Sequence, residues 1–239
     1  MTYLVDIHTH ILPGIDDGSK NVEMSIAMLK EEKKQGVDLV VLTPHFYRRK
    51  ETVRSFLERR EISYQKLKKA MAECEEDLPR VVLGAEAQWG QNMAQWEDLS
   101  ALCIEDSGYM LLEMPFGKWS SDIFSDIYEI MDRHGITPIF VHLERYVKGQ
   151  KREHIDEIMS LGTPIQFSCE PLLHMFGKRT QIKMMQQTDL CLLGSDCHNM
   201  DTRPPLLKQG MTQARKHAGK DVYQHLLANP MKILGDRGI

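Results

Sequence analysis

Tyr3-Leu4-Val5-Asp6-Ile7-His8-Thr9-His10 opens the chain with a β-branched and aromatic run that ends in two histidines one residue apart. Side chains alternate faces along a strand, so His8 and His10 point one way while Ile7 and Thr9 point the other. Two imidazoles converging at a strand end suit a transition metal, because neutral imidazole is a good ligand for zinc, manganese or iron. A lone His-x-His pair is more often structural than metal-bound. Further His, Asp and Glu residues at the ends of later strands reverse those odds.

Downstream, Leu12 to Ser19 is a turn-rich loop by its Pro, Gly and Asp content, and Ser19 or Asn21 can cap the helix that follows. That helix carries Val22, Ile26 and Leu29 at helical spacing and stops near Gly36. Leu39-Val40-Val41-Leu42 is a continuous apolar run, as in a parallel strand buried on both faces, and it ends at Thr43-Pro44-His45. The alternation then repeats: a helix over 51–74, a strand over 81–84 ending at Glu86, and a loop with a short helix over 88–107. A strand over 109–112 ends at Glu113, a helix covers 121–134, and a strand over 137–141 ends at His142. A helix over 153–161, a strand over 164–167, a helical stretch to Gln187 and a strand over 190–193 follow, the last ending in Gly194-Ser195-Asp196-Cys197-His198. The remainder reads as helical, broken at Pro204-Pro205. Seven strand–helix repeats with short connections predict an α/β fold, a closed or nearly closed parallel barrel, in a single domain over 1–239.

Composition narrows the function classes. The chain is 42% apolar and 27% charged, as in a soluble globular protein. A net charge of −4 and no long basic run disfavour nucleic acid as a partner. No stretch reaches the roughly 18 consecutive apolar residues of a membrane span, and the N-terminus does not read as a signal peptide. The five cysteines are odd in number and lack C-x-x-C spacing, as for reduced thiols in a cytoplasmic protein.

The strand ends supply His8 and His10, His45, Glu86, Glu113, His142, and Asp196 with His198. In parallel α/β barrels such residues converge on one face. Taken singly, each has an ordinary reading as a solvated carboxylate or a hydrogen-bonded core histidine. Together they exceed what one ion needs, and two or three metals with a bridging Glu are implied. Asp17 is the natural extra carboxylate; Asp16 beside it reads equally well as turn chemistry, and Asp6 as support behind the ligands.

The ordered motifs D-x-H-x-H, D-D-G, T-P-H, G-A-E, L-L-E-M-P, H-x-E-R-Y and G-S-D-x-H-N resemble the polymerase and histidinol phosphatase (PHP) superfamily. More narrowly, they are similar to bacterial metal-dependent tyrosine phosphatases of capsule and exopolysaccharide operons. The resemblance runs from Asp6 to Arg203 and implies a distorted seven-stranded (β/α)7 barrel with a site for three divalent ions, manganese first and iron or zinc also accepted. By matching motif it implies one ion on His8, His10, Glu86 and Asp196. A second shares Glu86 and uses Glu113 and His142, and a third uses Asp17, His45 and His198. Arg145 and Arg203 match phosphate-binding arginines, and Arg48 and Arg49 match a basic substrate-binding segment. The implied substrate is phosphotyrosine on a protein, the tail of a bacterial tyrosine kinase that controls polysaccharide export.

The chemistry agrees with phosphomonoester hydrolysis. Clustered divalent ions supply hydroxide near neutral pH, and arginine forks bind phosphate in a bidentate geometry. For Arg145 the ordinary reading is a surface ion pair with Glu144. Two C-x5-R matches, Cys74 to Arg80 and Cys197 to Arg203, raise a thiolate mechanism, but both loops carry acidic residues that repel phosphate. Histidinol phosphate or another small phosphomonoester is the alternative substrate, and a non-catalytic metal-binding barrel is the alternative class. The placement of Arg48, Arg49 and Trp119 at the mouth separates an open rim for a protein tail from a closed metabolite pocket.

Overall fold

The computed structural model describes residues 3–174 and 177–235. The strands are β1 (Val5–Thr9), β2 (Leu39–Leu42), β3 (His45–Phe46), β4 (Arg80–Leu83), β5 (Glu86–Gln88), β6 (Tyr109–Glu113), β7 (Thr137–Val141), β8 (Ile165–Ser168) and β9 (Cys191–Gly194). Every pairing is parallel. The order is β1-β2-β4 in one sheet and β3-β5-β6-β7-β8-β9 in the other. Two strands cross from one sheet to the other. β2 is interrupted at Thr43-Pro44 and resumes as β3, and β4 is interrupted at Gly84-Ala85 and resumes as β5. Proline has no N–H for the ladder, which accounts for the first break. A parallel bridge from Thr9 to Cys197 joins the chain after β9 to β1. The two sheets therefore form one distorted seven-strand barrel, with the break as the distortion. The expectation that these strands end at T-P-H and G-A-E is corrected: they restart there.

The helices cover the outside. They are α1 (Val22–Lys34), α2 (Val53–Glu73), α3 (Ser121–His134), α4 (Arg152–Ser160), α5 (Glu170–Leu173), α6 (Lys178–Met185), α7 (Leu207–His217) and α8 (Lys220–Leu234). Asn21, not Ser19, caps α1, accepting from Met24 N–H at 2.9 Å. Residues 88–107 hold two 3-10 turns, Met93–Gln95 and Leu99–Leu102. The helical stretch expected to run to Gln187 is two helices, α5 and α6, and residues 236–239 of the expected helical tail lie outside the described residues.

Strand alternation divides the core in two. Val5, Ile7, Val41, Leu111, Ile139 and Leu192 pack together with Ile233 and Leu234 of α8. The intervening set, including Val40, Leu42, Leu112 and Phe140, packs with helix residues such as Met28, Leu29 and Ile127. Both faces of each strand are thus buried, which is why the strands read as continuous apolar runs. The carboxyl ends of the strands are left as the polar end of the barrel.

Candidate metal centre

Nine side chains singled out in the sequence meet at that end. Nε2 of His8 and Nε2 of His10 lie 3.1 Å apart. Both face Oε2 of Glu86 at 3.3 Å, and Oδ1 of Asp196 at 3.7 and 3.4 Å. Four donors around one ion at about 2.1 Å stand roughly 3.4 Å apart in a tetrahedron, so this quartet has the spacing of a coordination shell. Glu86 reaches onward: Nε2 of His142 is 2.9 Å from its Oε1, and Nδ1 of His45 is 2.8 Å from its Oε2. Glu113 lies 3.9 Å from His142. On the far side, Oδ1 of Asp17 stands 3.4 Å from His45 and 3.6 Å from His198. Three groups of donors close enough to hold an ion result: His8, His10 and Asp196; His45, Glu86 and Glu113; His10, Asp17, His45 and His198. Glu86 sits between them. His45 faces two of the groups, whereas the motif match places it with one; His142, which the motif match puts with Glu86 and Glu113, lies 2.9 Å from Glu86 but in none of the three groups.

The donor chemistry fits cations. Nε2 of His198 is buried without a hydrogen-bond partner, and so are Nδ1 of His45 and Oε2 of Glu86, which stand 2.8 Å apart without hydrogen-bond geometry. Such orphans are costly unless something else satisfies them. Burial, aided by Arg145, pushes His142 down to about 4; burial, aided by His10 and Arg203, pushes His198 down to about 3. Both imidazoles are therefore neutral, with a lone pair to give. Burial opposes ionising Glu86 and Asp196, but the facing histidines outweigh it and hold both well below the usual carboxylate range. Burial and the charge of Glu86 raise Glu113 to about 7.

Three residues support the donors, and two of them, Asp16 and Gln166, carried little or no signal in the sequence. Asp16 is not mere turn chemistry. It accepts from His10 Nδ1–H at 2.8 Å, from His45 N–H at 3.0 Å and from Gly18 N–H at 2.9 Å. Gln166 accepts from His8 Nδ1–H at 3.0 Å and from His142 N–H at 3.2 Å. Both histidines of the opening motif thus have Nδ1 committed and Nε2 turned to the cluster. Asp6 supports the site from behind the ligands. It accepts from His8 N–H at 3.3 Å and from Ser195 N–H at 3.0 Å, which ties β1 to the turn after β9. Glu32 of α1 is its buried neighbour.

His142 and Asp196 are non-glycine residues at φ 38° and 55°. Backbone in this region is costly for residues with a Cβ, and it persists where surrounding structure holds it. His142 directly follows β7, and Asp196 stands two residues past the end of β9.

Two guanidinium groups converge on the site. Arg145 donates to Oδ2 of Asp196, and Arg203 donates to the same oxygen at 2.8 Å. The ordinary reading of Arg145 as a surface pair with Glu144 does not hold; it pairs with Asp196. Trp119 is 5% exposed and packed on Tyr146, so it does not form part of the rim, while Arg48 and Arg49 do. The thiolate alternative fails on burial. Cys197 is fully buried, its Sγ 3.8 Å from Glu32, and burial pushes its pKa well up. Arg80 opens β4, at the end of the barrel away from the donors.

Among the described residues no helix is long and apolar enough to cross a membrane. The solved structure of YwqE from Bacillus subtilis and CpsB from Streptococcus pneumoniae, described as unique metal-dependent tyrosine phosphatases, superposes with a TM-score of 0.71 at 22% identity. It covers 94% of each chain. In sequence, the tyrosine-protein phosphatase CpsB of Streptococcus pneumoniae is 29% identical over 98% of this chain and 99% of its own. The tyrosine-protein phosphatase YwqE of Bacillus subtilis is 26% identical over 99% and 93%. A family model for capsular polysaccharide synthesis, CpsB/CapC, matches residues 4–235. The chain belongs to the CpsB/CapC family of capsular polysaccharide synthesis proteins.

Proposed function

We propose that this chain, as a single domain over 1–239, is a metal-dependent protein-tyrosine phosphatase. The observation that carries the reading is the convergence of nine His and carboxylate donors with two arginines at one barrel end. One divalent ion is assigned to His8, His10, Glu86 and Asp196. A second is assigned to Glu86, Glu113 and His142, with His45 in reach, and a third to Asp17, His45 and His198. Manganese is the first candidate, with iron or zinc compatible with the same donors. Bound there, divalent ions supply a strong oxygen nucleophile near neutral pH and offset the negative charge of the phosphoryl group.

The chain's own residues do the rest. Arg145 and Arg203 pivot from Oδ2 of Asp196 onto the phosphate, where their planar forks match two oxygens each. Asp16 and Gln166 keep the histidines in one tautomer, so no proton competes for Nε2. Asp17, with its side chain 69% exposed, lies on the accessible edge, beside a cleft of about 650 Å³ shared with His45, Tyr47 and Arg59. Arg48 and Arg49 at the open rim favour a protein substrate over a small metabolite. The reading extends to the phosphorylated tail of a tyrosine kinase governing polysaccharide export, and to a cytoplasmic location.

The test compares kcat/KM on a phosphotyrosine peptide, a phosphoserine peptide and histidinol phosphate, with manganese and after chelation. Preference for phosphotyrosine, lost on chelation, is expected. Preference for histidinol phosphate keeps the centre and changes the substrate. Chelator-resistant turnover overturns the metal mechanism.

A further inference from the structure

Beside the metal centre lies a groove of about 630 Å³ that none of the metal donors lines. Gln88 in its lining donates to Oε2 of Glu113 at 3.0 Å, which sets the groove against the centre. Trp89, Trp96 and Phe116 give it an aromatic wall, and Arg48 and Arg49 stand on its edge; no carboxylate lines it. Arg48 stacks on Trp96, 5.9 Å from the ring centre. Arg49 is exposed and has no ion-pair partner among the described residues. Phe116 is 69% exposed, an unusual state for a phenylalanine next to an active centre.

The groove is built in advance. Asp126 of α3 accepts from Trp89 Nε1–H at 3.0 Å and from the N–H groups of Met93 and Ala94 at 2.8 and 3.0 Å. One buried carboxylate thus fixes both the indole and the loop that carries Trp96. A surface this ordered that presents aromatic faces and unpaired positive charge is complementary to side chains that are aromatic and negative.

Resting on the phosphatase reading, we propose that this groove is a specificity subsite for the residues flanking the phosphotyrosine of a protein substrate. Flanking carboxylates (Asp or Glu) pair with Arg49 and Arg48, and a flanking aromatic ring packs on Trp89, Trp96 and Phe116. In an extended peptide each residue advances about 3.3 Å. A phosphotyrosine held at the metals therefore places its near neighbours along the groove. Asp126 is a positioning residue for this wall.

The test uses manganese-loaded full chain and peptides that share one central phosphotyrosine. One carries Glu and Phe in the flank, one Glu and Ala, one Lys and Phe. Binding of the unphosphorylated versions is followed by tryptophan fluorescence. The Glu-Phe peptide is expected to exceed the Lys-Phe peptide by about tenfold in kcat/KM and in affinity. Arg49→Glu is expected to collapse or invert that ratio, read within the variant itself. Phe116→Ala is expected to abolish the difference between the Glu-Phe and Glu-Ala peptides, and Asp126→Asn to shrink it. Equal kcat/KM on all three phosphopeptides overturns the subsite and leaves the phosphatase reading standing. The same ranking in binding, with no hydrolysis of any phosphopeptide, keeps the subsite and removes the phosphatase reading.

Discussion

Arg145 donates to Oδ2 of Asp196, while its chain neighbour Glu144 accepts instead from Ser168 N–H at 3.1 Å. Asp196 thereby joins two tasks. Its Oδ1 faces His8 and His10, and its Oδ2 holds Arg145 and Arg203, the two arginines proposed to bind phosphate.

Arg145→Ala is expected to retain its metals and lose about 100- to 1000-fold in kcat/KM, the scale of removing one aimed donor at a site of developing charge. Arg145→Lys recovers little, because a single ammonium cannot replace the fork. Turnover on p-nitrophenyl phosphate, with metal content measured on the same sample, decides it. Unchanged turnover in a metal-replete variant removes Arg145 from the mechanism.

Asp16→Asn leaves His10 without its carboxylate partner. Manganese affinity should drop about 10- to 100-fold, the usual cost of losing an orienting partner behind a ligand. Excess manganese should restore most of the rate. A metal titration of activity beside a direct binding isotherm separates this from loss of the fold.

Metal removal should lower thermal stability. At 100 times its dissociation constant, a ligand bound only by the folded state contributes about 2.7 kcal/mol. For a chain of this size that is roughly 5–10 °C in Tm. Melting with chelator against melting with manganese measures it, and equal curves argue that the donors hold no ion.

Glu144 supplies a pH dependence. Burial, only partly offset by Arg145, raises its carboxyl to about 7 from the ordinary 4.5, and its Oε2 is sealed from solvent. A carboxyl raised on folding contributes stability that is intact below about 4.5 and is lost as pH climbs through about 7. The loss is on the order of 3 kcal/mol at most. Glu144→Gln should therefore raise Tm more at pH 8 than at pH 5, as paired melting curves at constant metal load would show. An equal shift at both pH values refutes the assignment.

The parallel barrel class and most of the donors were legible in the sequence because most of them lie where an apolar run stops; Asp17, in the loop after His10, does not. Strand ends are marked locally, and parallel topology gathers them. What the sequence hid depends on contacts across the fold. Asp16 in a Pro-Gly-Asp-Asp loop looks like turn chemistry, and only the position of His10 and His45 around it shows otherwise. Gln166 is one polar residue in a strand and has no local mark. The restart of β2 as β3 needs β5 beside it, which a reading of 39–46 alone does not contain. Trp119 resembles a rim aromatic until Tyr146 is seen beneath it.

The bridge from Thr9 to Cys197 has a consequence for biosynthesis. Asp6 and the Ser195 N–H that it receives are 189 residues apart, and the donor cluster draws on both sides of that seam. At about 5–20 residues per second, the ribosome takes roughly 10–40 s to deliver Asp196 and His198 after His8 and His10. Through that interval His8 and His10 exist without Asp196 or His198, so a nascent chain offers metals only a fragmentary foothold. The quartet of His8, His10, Glu86 and Asp196 is therefore complete only once the last strand has arrived and the barrel can close.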